Sequence, residues 1–422
     1  MTESELREVV RITLLSNTRE GFSRLLGKEY YYIQPSPTTY PFEFFWDTCF
    51  HLIMLSRLGE YERAVRNLKS TLSMQEPSGF LGHMIYWHQA LPMRPSDVLQ
   101  SKPTFKSLRP HMSALIQPTF LAQTLERIYE GTKDKRLLDT FLPSVIRYHR
   151  WLHKNRKFDH DGLITTISPF ESGMDFKPSY DQILSKTPGV PLPRVAKSSL
   201  YWRAIGVDMS NFMRRYRLSA IRKRGRFLVK DVLVNTVYSL DTLALARLCA
   251  HVKRNGEEKE FAHMGKLATE NILKKMYDEK DQAFWDISGK DSIKIRVLTP
   301  SILYPIALPD IPETVTRAVV ERHLVEAGYF KVPYAIPSVG TSEGTFSPLP
   351  SDFIWRGPVW AVHNWFLYRA LHVRGYAALA DMLKHSLLQL IRKSGFREYY
   401  DPFTGKGYGA PNFTWPGLLL DM

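Results

Sequence analysis

Apolar residues recur every three or four positions in ten segments of the chain, and this spacing places them on one face of an α-helix. The segments are 47–57, 60–74, 113–130, 134–154, 195–218, 231–252, 257–277, 312–326, 357–372 and 376–393. Strand-like alternation of apolar and polar residues is scarce and short. The pattern therefore predicts an all-α protein.

Short and long connections alternate between these helices. A new amphipathic helix begins within a few residues of Gly59, Gly131, Gly256 and Gly375, and a glycine just past a helix end tolerates the left-handed conformation that closes the helix. Long segments rich in Pro, Gly, Ser and aromatic residues cover 75–112, 158–194, 279–311, 327–354 and 394–413. Loops of this length in a compact domain are usually functional.

This alternation is typical of a closed ring of helical hairpins, with tight turns on one face and long segments on the other. Roughly six hairpins predict an (α/α)6 barrel, an inner ring of helices inside an outer ring, with 1–422 as a single domain. An open α-solenoid is the alternative, but its repeats would be more regular and its long loops fewer.

Composition excludes several classes of protein. A hydrophobic content of 44% and a charged content of 23% are ordinary for a globular chain. Two cysteines, Cys49 and Cys249, exclude a disulfide scaffold and a Cys-rich zinc module. The acidic N-terminus is unlike a secretory signal, and no uncharged apolar stretch of about 18 residues follows. We therefore expect a cytoplasmic protein with no membrane partner, and a homo-oligomer stays open.

The net charge of +15, from 57 Lys and Arg against 42 Asp and Glu, raises the question of a nucleic-acid partner. Most basic residues lie beside acidic ones along helical faces. The one dense cluster covers 214–217 and 222–226, and no zinc-finger, RNP or basic-zipper pattern accompanies it. The distribution predicts a solvated basic surface and no nucleic-acid partner.

Aromatic residues make up 13% of the chain and fall into three groups. The groups are Tyr30, Tyr31, Tyr32, Tyr40, Phe42, Phe44, Phe45, Trp46 and Phe50; Trp355, Trp360, Trp365, Phe366 and Tyr368; and Phe396, Tyr399, Tyr400, Phe403, Tyr408, Phe413 and Trp415. Each group contains carboxylates or an arginine, and such sets suit the apolar faces and hydroxyl edges of a sugar. Core packing is the alternative for any one ring, but three groups at segment junctions favour a pocket.

Two acidic strings are candidates for acid and base catalysis. In Glu171-Ser172-Gly173-Met174-Asp175-Phe176 two carboxylates flank a turn amid apolar residues, where a carboxyl has a raised pKa and can act as a general acid. In Arg397-Glu398-Tyr399-Tyr400-Asp401-Pro402 we expect Glu398 to stay ionised beside Arg397 and to act as a base toward water. Two carboxyls with different pKa values form the acid and base pair of glycoside hydrolysis.

Four strings together resemble glycoside hydrolase family 63, with more distant similarity to trehalases and glucoamylases. They are Phe45-Trp46-Asp47 with Phe50-His51; Glu171-Ser172-Gly173-Met174-Asp175; Trp355-Arg356-Gly357-Pro358-Val359-Trp360 with Asn364-Trp365; and Glu398-Tyr399-Tyr400-Asp401-Pro402 with Thr404-Gly405 and Gly407. They follow the order of the family over nearly the whole chain. The resemblance implies an α/α-toroid glycosidase.

The same resemblance implies an inverting hydrolysis with Asp175 as general acid and Glu398 as general base, and the proposed chemistry requires no metal or cofactor. The two carboxyls would then lie about 6.5–9.5 Å apart. The predicted substrate-binding residues are Tyr40, Phe45, Trp46, Asp47, His83, Gln117, Lys177, Trp355, Arg356 and Trp360. Gln117 and His83 are lesser candidates, because Gln117-Pro118 also reads as a helix start and a histidine is often a structural hydrogen-bonding residue.

Lys177 departs from the family pattern, which has a small polar residue, Pro and then Trp-Asp after the acid. A lysine near Asp175 would lower the pKa of that acid, or it could point away and bind an anionic leaving group. The compact members that the chain most resembles hydrolyse mannosylglycerate and glucosylglycerate, whose carboxylate Lys177, Arg356, Arg397 or Lys406 could meet. Tyr40 would help to close over the glycerate end.

The sequence therefore predicts hydrolysis of a small anionic α-linked glycoside, with mannosylglycerate or glucosylglycerate as the best candidates. An α-glucosidase or trehalase-like hydrolase of gluco-oligosaccharides is one alternative. A catalytically silent carbohydrate-binding toroid is the other, because Lys177 stands where the family has a small residue.

Overall fold

The structure is a computed structural model that describes residues 1–88, 95–103, 111–186, 199–289, 291–326 and 328–422. Its α-helices are α1 Glu3–Ser16, α2 Phe45–Leu58, α3 Tyr61–Ser73, α4 Pro95–Leu99, α5 Leu121–Thr132, α6 Lys135–Arg156, α7 Asp181–Ser185, α8 Ser199–Met213, α9 Leu218–Arg224, α10 Val232–His251, α11 Asn255–Asn271, α12 Glu313–Val320, α13 Ala361–Val373 and α14 Ala377–Ser394. Its 3₁₀ segments are Pro178–Tyr180, Pro300–Ala307 and Trp415–Asp421, and π-helical turns cover Ile272–Met276 and Glu321–Glu326.

Six elements form a closed inner ring. Helix α2 packs against α5, α5 against α10, and α10 against the 3₁₀ segment Pro300–Ala307. That segment packs against α13, and α13 packs against the 3₁₀ segment Trp415–Asp421, which returns to α2. The predicted helical toroid is confirmed, and the open solenoid does not describe the chain.

The outer elements pair with the inner ones through tight turns. The hairpins α2–α3, α5–α6, α10–α11 and α13–α14 match four predicted helix pairs. Gly59 and Gly375 adopt the left-handed conformation with φ of 79° and 80°, as expected. At the other two turns that conformation belongs to Lys133 (φ 55°) and Lys253 (φ 57°), so the predicted closures at Gly131 and Gly256 are wrong.

Gly131 lies inside α5 and has a different function there. A Cβ on this residue would lie 2.1 Å from the Tyr61 hydroxyl oxygen, so the glycine permits α3 to approach α5 closely. The closing conformation moves two residues onward to Lys133, whose amide donates to Tyr129 O. A glycine near a helix end therefore marks either a turn or a close contact.

The two ends of the chain complete the ring. Helix α1 packs on the outside of α2 and of the C-terminal 3₁₀ segment, at the position of the sixth outer helix. Gly417 makes this contact close, because a Cβ there would lie 2.6 Å from Met54 Sδ and 3.2 Å from Val10. Neither α1 nor the inner 3₁₀ segments were expected from the pattern. A short segment such as Pro300–Ala307, interrupted by Pro305, has too few turns to show helical periodicity, whereas α1 spans 14 residues and its length gives no such reason.

Several predicted boundaries differ from the structure. The predicted helix 113–130 begins only at Leu121, and the predicted helix 357–372 begins at Ala361. Helix α8, within the predicted 195–218, packs against the short α4 and α7 outside the ring. The predicted helix residues 195–198 lie outside the described residues, as do 89–94, 104–110, 187–194, 290 and 327 of the predicted long segments.

Short strands lie in the connections between the helices. They are β1 Thr18–Ser23, β2 Lys28–Ile33, β3 Glu43–Phe44, β4 Met84–Ile85, β5 Val229–Lys230, β6 Tyr277–Asp278, β7 Ala283–Phe284, β8 Asp286–Ser288, β9 Ile293–Ile295, β10 Arg397–Tyr400 and β11 Gly407–Pro411. The pairs β1–β2, β3–β4, β6–β7 and β10–β11 are antiparallel, and β5, β8 and β9 form a three-stranded sheet. A register shift interrupts β10–β11 between Arg397 and Tyr399, at Glu398.

One large buried apolar cluster extends from Leu6 to Met422 and includes residues of both rings. Among the described helices, α10 is long and apolar enough to cross a membrane by length and composition alone. Its apolar window is 83% buried inside the protein, as expected of a helix in the centre of the core.

Candidate active site

A cavity opens on the long-segment face, where the inner elements begin. Trp46 and Asp47 lie in the first turn of α2, and Trp415 begins its 3₁₀ segment. Gln117 precedes α5, and Trp360 directly precedes α13. The cavity is lined by Pro35, Tyr40, Phe44, Trp46, Asp47, Gln117, Gly173, Asp175, Ile354, Trp355, Trp360, Glu398, Phe413 and Trp415.

Asp175 enters this cavity on the segment after Gly173. Gly173 has a φ of 77°, and a Cβ there would lie 3.3 Å from the Trp46 ring, so the turn favours glycine. In the described part of the chain the Asp175 carboxyl has no hydrogen-bond donor, and burial followed by the charge of Asp208 raises its pKa to about 7. The group is thus able to hold a proton near neutral pH.

Glu398 faces the same cavity from β10 with both oxygens hydrogen-bonded. The Tyr40 hydroxyl donates to Oε1 at 2.6 Å, and the Ala410 amide donates to Oε2 at 2.8 Å. Burial raises the pKa of Glu398, while the bonds from Tyr40 and Ala410 and the charge of Arg397 lower it. The expectation that Arg397 keeps Glu398 ionised is corrected. Burial outweighs the three opposing causes, so the pKa of Glu398 is raised, and Arg397 is the weakest of those three.

Glycine at position 409 allows the β11 backbone to approach Glu398. A Cβ on Gly409 would lie 2.4 Å from Glu398 Oε2, and the residue has a φ of 66°. Both observations favour glycine, because a side chain would displace the carboxylate and strain the backbone.

We predict that Tyr40→Phe shifts the acidic limb of the pH profile of kcat/KM to higher pH. The Tyr40 hydroxyl lowers the pKa of Glu398, so its removal raises that pKa and reduces the ionised fraction at a given pH. A hydrogen bond to a charged group contributes roughly 1.5–3 kcal/mol, so we expect kcat/KM below neutrality to fall by about tenfold or more. Tyr408→Phe in β11 is the control, and an acidic limb that does not move in Tyr40→Phe would contradict the assignment.

Asp47 is the third carboxyl of the cavity. Trp415 Nε1 donates to its Oδ1 at 2.7 Å. Burial, together with the charges of Glu398 and Asp175, raises the pKa of Asp47 to about 8, against the lowering effect of the Trp415 bond. Three acids in one cavity are thus distinguished by their hydrogen bonds.

Gln117 is part of the cavity wall and contacts the start of α2. Its Oε1 accepts a hydrogen bond of 2.9 Å from the Trp46 amide, which is one of the N–H groups that a helix start leaves without an intrahelical partner. The bond fixes the Gln117 side chain beside Asp47. This placement favours the binding interpretation of Gln117 and also gives it a capping role.

Tryptophan rings form a large part of the cavity wall. Trp355 and Trp360 stack with centroids 3.7 Å apart and planes 14° from parallel, and Trp415 lies 5.5 Å from Trp360 and 6.2 Å from Trp46. The three aromatic groups of the sequence therefore meet here. Other members are core residues, as the packing alternative predicted; Phe50 and Trp365, for example, lie buried 5.5 Å apart.

Four predicted binding residues lie outside the cavity wall. Phe45 is buried against Tyr148, with ring centroids 5.3 Å apart. His83 Nδ1 lies 2.6 Å from the Ser113 hydroxyl, and burial lowers the pKa of His83 to about 3. Both residues support the structure behind the cavity, which is the alternative raised for His83.

The two predicted cations among these four are paired with acids. Arg356 forms a two-bond fork with Asp181, at 2.8 and 2.6 Å. Lys177 Nζ lies 2.5 Å from Asp231 Oδ2. Arg397 donates to Gly409 O at 3.0 Å, and Lys406 Nζ lies 5.4 Å from the centroid of the Tyr408 ring. We expected a Lys or Arg, from among Lys177, Arg356, Arg397 and Lys406, to line the site. This expectation is corrected: within the described residues, the cavity wall includes no Lys or Arg.

Sequence reasoning did not select six residues of the wall as binding residues: Pro35, Phe44, Gly173, Ile354, Phe413 and Trp415. Trp415 matters most, because it donates to Asp47 across 368 positions of sequence. The signal for it was its aromatic group near the chain end, but no local pattern indicates the partner. Among the described residues, no group of three or more His, Cys, Asp or Glu is arranged to hold a metal ion.

Comparison with known proteins finds relatives over most of the chain. The model of the mannosylglycerate hydrolase MGH1-like glycoside hydrolase domain matches residues 40–416. The chain is 27% identical to the mannosylglycerate hydrolase of Thermus thermophilus over 91% of this chain and 94% of that protein. It is 26% identical to the glucosylglycerate hydrolase of Mycolicibacterium hassiacum over 91% of this chain and 92% of that protein.

Solved structures show the same relationship. The family 63 mannosylglycerate hydrolase from Thermus thermophilus in complex with Tris and D-glycerate superposes with a TM-score of 0.86 at 26% identity, covering 98% of each chain. Neutral trehalase Nth1 from Saccharomyces cerevisiae superposes with a TM-score of 0.61 at 14% identity, covering 100% of this chain and 79% of that one, which shows the fold alone. The chain therefore belongs to the mannosylglycerate hydrolase MGH1-like glycoside hydrolases of family 63 and is a glycosidase.

Proposed function

We propose that this glycosidase hydrolyses a small α-linked glycoside of glycerate, mannosylglycerate or glucosylglycerate, with inversion at the anomeric carbon. One observation supports the chemistry above all others. A carboxyl without a hydrogen-bond donor in the described chain, Asp175, and a carboxylate with two donors, Glu398, face one aromatic-walled cavity. Such a difference in environment separates an acid from a base.

In the proposed reaction Asp175 donates its proton to the glycosidic oxygen as the bond from that oxygen to the anomeric carbon breaks. Glu398 takes a proton from a water molecule whose oxygen attacks the anomeric carbon from the opposite side. The reaction leaves Asp175 ionised and Glu398 protonated, and exchange with solvent restores both. Asp47 and Gln117 would bond the sugar hydroxyls, while the Trp355 and Trp360 pair would pack against an apolar face.

The glycerate leaving group is supported by the relatives. Proteins named mannosylglycerate hydrolase and glucosylglycerate hydrolase match more than nine-tenths of the chain. The related Thermus thermophilus enzyme was solved with D-glycerate. The names of the relatives include both sugars, so the experiment uses both mannosylglycerate and glucosylglycerate as substrates.

A neutral α-glucoside is the second candidate substrate. The described cavity wall holds three carboxyls and no Lys or Arg to meet a carboxylate. A neutral leaving group would avoid the repulsion that an anion meets near these acids. The pair of α-glucosylglycerate and α-glucosylglycerol separates the two candidates, because the leaving groups differ only in a carboxylate.

The experiment incubates the protein with α-mannosylglycerate, α-glucosylglycerate, α-glucosylglycerol, trehalose and maltotriose, and follows sugar release by proton NMR. We expect release from a glycosylglycerate, with the β-anomer of the sugar formed first. Faster release from glucosylglycerol, trehalose or maltotriose than from either glycerate substrate would favour the second candidate. No release from any substrate by folded protein would support the catalytically silent toroid.

A further inference from the structure

We propose that Lys177, Asp231 and Asp286 form a buried ion cluster that positions the acid-bearing segment 171–181, so that Lys177 is a positioning residue of hydrolysis and not a ligand of the substrate. This inference rests on the proposed function, because it concerns the presentation of Asp175 as the acid. It resolves the departure of Lys177 from the family pattern.

The ammonium of Lys177 is enclosed by the two carboxylates. Its Nζ lies 2.5 Å from Asp231 Oδ2 and 2.7 Å from Asp286 Oδ2. The side chains of Lys177 and Asp231 are 0% exposed, and that of Asp286 is 4% exposed. A group so enclosed cannot reach a substrate carboxylate in the cavity.

The two aspartates belong to rigid elements of the fold. Asp231 caps α10, where its Oδ1 accepts from the Val234 amide at 3.1 Å. Asp286 lies in β8, and its Oδ1 accepts from the Val232 amide at 2.8 Å. The lysine therefore ties the acid-bearing segment to the start of an inner-ring helix.

Neighbouring side chains of the same segment reinforce this attachment. The Tyr180 hydroxyl donates to Asp231 Oδ2 at 2.6 Å, and the Ser179 hydroxyl donates to Asp286 Oδ2 at 2.7 Å. Both acceptor oxygens also contact Lys177. Lys177, Ser179 and Tyr180 thus hold one stretch of backbone onto two carboxylates.

This attachment of the segment matters because the Asp175 carboxyl is not itself held by a hydrogen bond in the described chain. The Lys177 amide donates to Met174 O at 3.1 Å, and the Tyr180 amide donates to Lys177 O at 3.0 Å, so Asp175 lies within the first of two consecutive turns. With no hydrogen-bond donor to its carboxyl in the described chain, the direction of that carboxyl is set by the backbone of these turns. Displacing the backbone would displace the acid.

The cluster also removes the electrostatic objection to a lysine beside the acid. The carboxyls of Asp231 and Asp286 both lie against the ammonium, so Asp175 does not face an uncompensated cation. Burial opposes the charge on Lys177, but Asp231 and Asp286 outweigh it and raise the pKa of the ammonium. Lysine is thus compatible with a protonated Asp175.

The test compares Lys177→Met, Lys177→Arg and Asp286→Asn on two substrates, the hydrolysed glycosylglycerate and the matching α-glycosyl fluoride. Fluoride departs with little need for a proton, so it reports binding and folding without the acid. A misplacement of about 1 Å can cost about a hundredfold in rate. We expect kcat on the glycerate substrate to fall about a hundredfold in Lys177→Met and less in Asp286→Asn, with KM within about twofold, and the fluoride rate to fall far less.

Lys177→Arg, which keeps the charge, should recover part of the lost kcat. Lys275→Met is the matched control, because that lysine also pairs with a buried aspartate, Asp161, but outside the acid-bearing segment. A raised KM with unchanged kcat would show that Lys177 binds substrate and would overturn the proposal. An equal loss on both substrates, or no loss, would overturn it as well.

Hydrogen exchange separates this proposal from the proposed function, because it needs no substrate. We expect Asp286→Asn, and Lys177→Met where it folds, to lose amide protection in 172–181 while the rest of the described chain keeps it. Unchanged protection there would overturn the positioning role even if the enzyme is active. A wild-type protein that hydrolyses none of the glycosides would instead contradict the proposed function, whatever the exchange shows.

Discussion

We expect Asp175→Asn to lower kcat on the glycosylglycerate substrate by about a thousandfold, because an amide cannot supply the proton that the leaving oxygen requires. General acid catalysis contributes roughly 10²–10⁴-fold. The carboxyl lies in the aromatic-walled cavity, and burial and the charge of Asp208 raise its pKa to about 7. Asparagine has nearly the same shape, so the fold and KM should change little. Steady-state kinetics with a melting curve measures both.

The acid role of Asp175 also predicts the direction in which activity changes with pH. We expect wild-type activity to fall as the pH rises through the pKa of Asp175, about 7, because the donor proton is lost. The residual activity of Asp175→Asn should lack this alkaline limb. Asp159→Asn, a change in a half-exposed carboxyl paired with Lys230, is the control and should keep near-wild-type kcat. Near-wild-type kcat in Asp175→Asn would remove Asp175 from the acid role.

The largest expected effect on stability comes from Arg156→Met. Arg156 donates two hydrogen bonds to Glu171, at 2.8 and 2.5 Å, and both side chains are 0% exposed. Glu171 also accepts from the Ile116 and Ile167 amides, at 2.9 and 2.7 Å, so it joins three segments below the cavity. Breaking a buried pair costs about 3–5 kcal/mol, because the remaining charge is left uncompensated.

Thermal and urea unfolding of Arg156→Met should therefore show a clearly lowered midpoint. Arg136→Met is the matched control, since Arg136 pairs with Asp134 with 89% of its side chain exposed, and such pairs contribute about 0–1 kcal/mol. A midpoint for Arg156→Met within the range of that control would show that the pair does not stabilise the segment as we infer. The variant also tests whether Glu171 is structural, as its contacts indicate.

The architecture was predictable from periodicity where helices are long. Helices α6 and α14 have enough turns for their apolar face to be recognised, while α2 and α10 are apolar on nearly every side. The alternation of tight and long connections indicated the ring. The 3₁₀ segments that complete the inner ring are too short for such a signal. The meeting of the two ends of the chain depends on contacts such as Gly417 with Val10, which no local pattern reports.

The candidate site was likewise predictable from the sequence only in part. The structure brings eight of the twelve predicted site residues to one cavity: Tyr40, Trp46, Asp47, Gln117, Asp175, Trp355, Trp360 and Glu398. Their roles in binding and catalysis stay predictions. Arg356 and Lys177 were expected at the substrate because sequence shows a cation but not its partner. Asp181 meets the first, and Asp231 and Asp286 meet the second.

The most direct test of the central claim is time-resolved proton NMR of the anomeric signals during hydrolysis of the α-linked glycosylglycerate, at enzyme levels that outpace mutarotation. The account predicts that the β-anomer of the free sugar accumulates first and that the α-anomer follows only by mutarotation. Accumulation of the α-anomer first, or no sugar release by folded protein, would contradict inverting hydrolysis by Asp175 and Glu398.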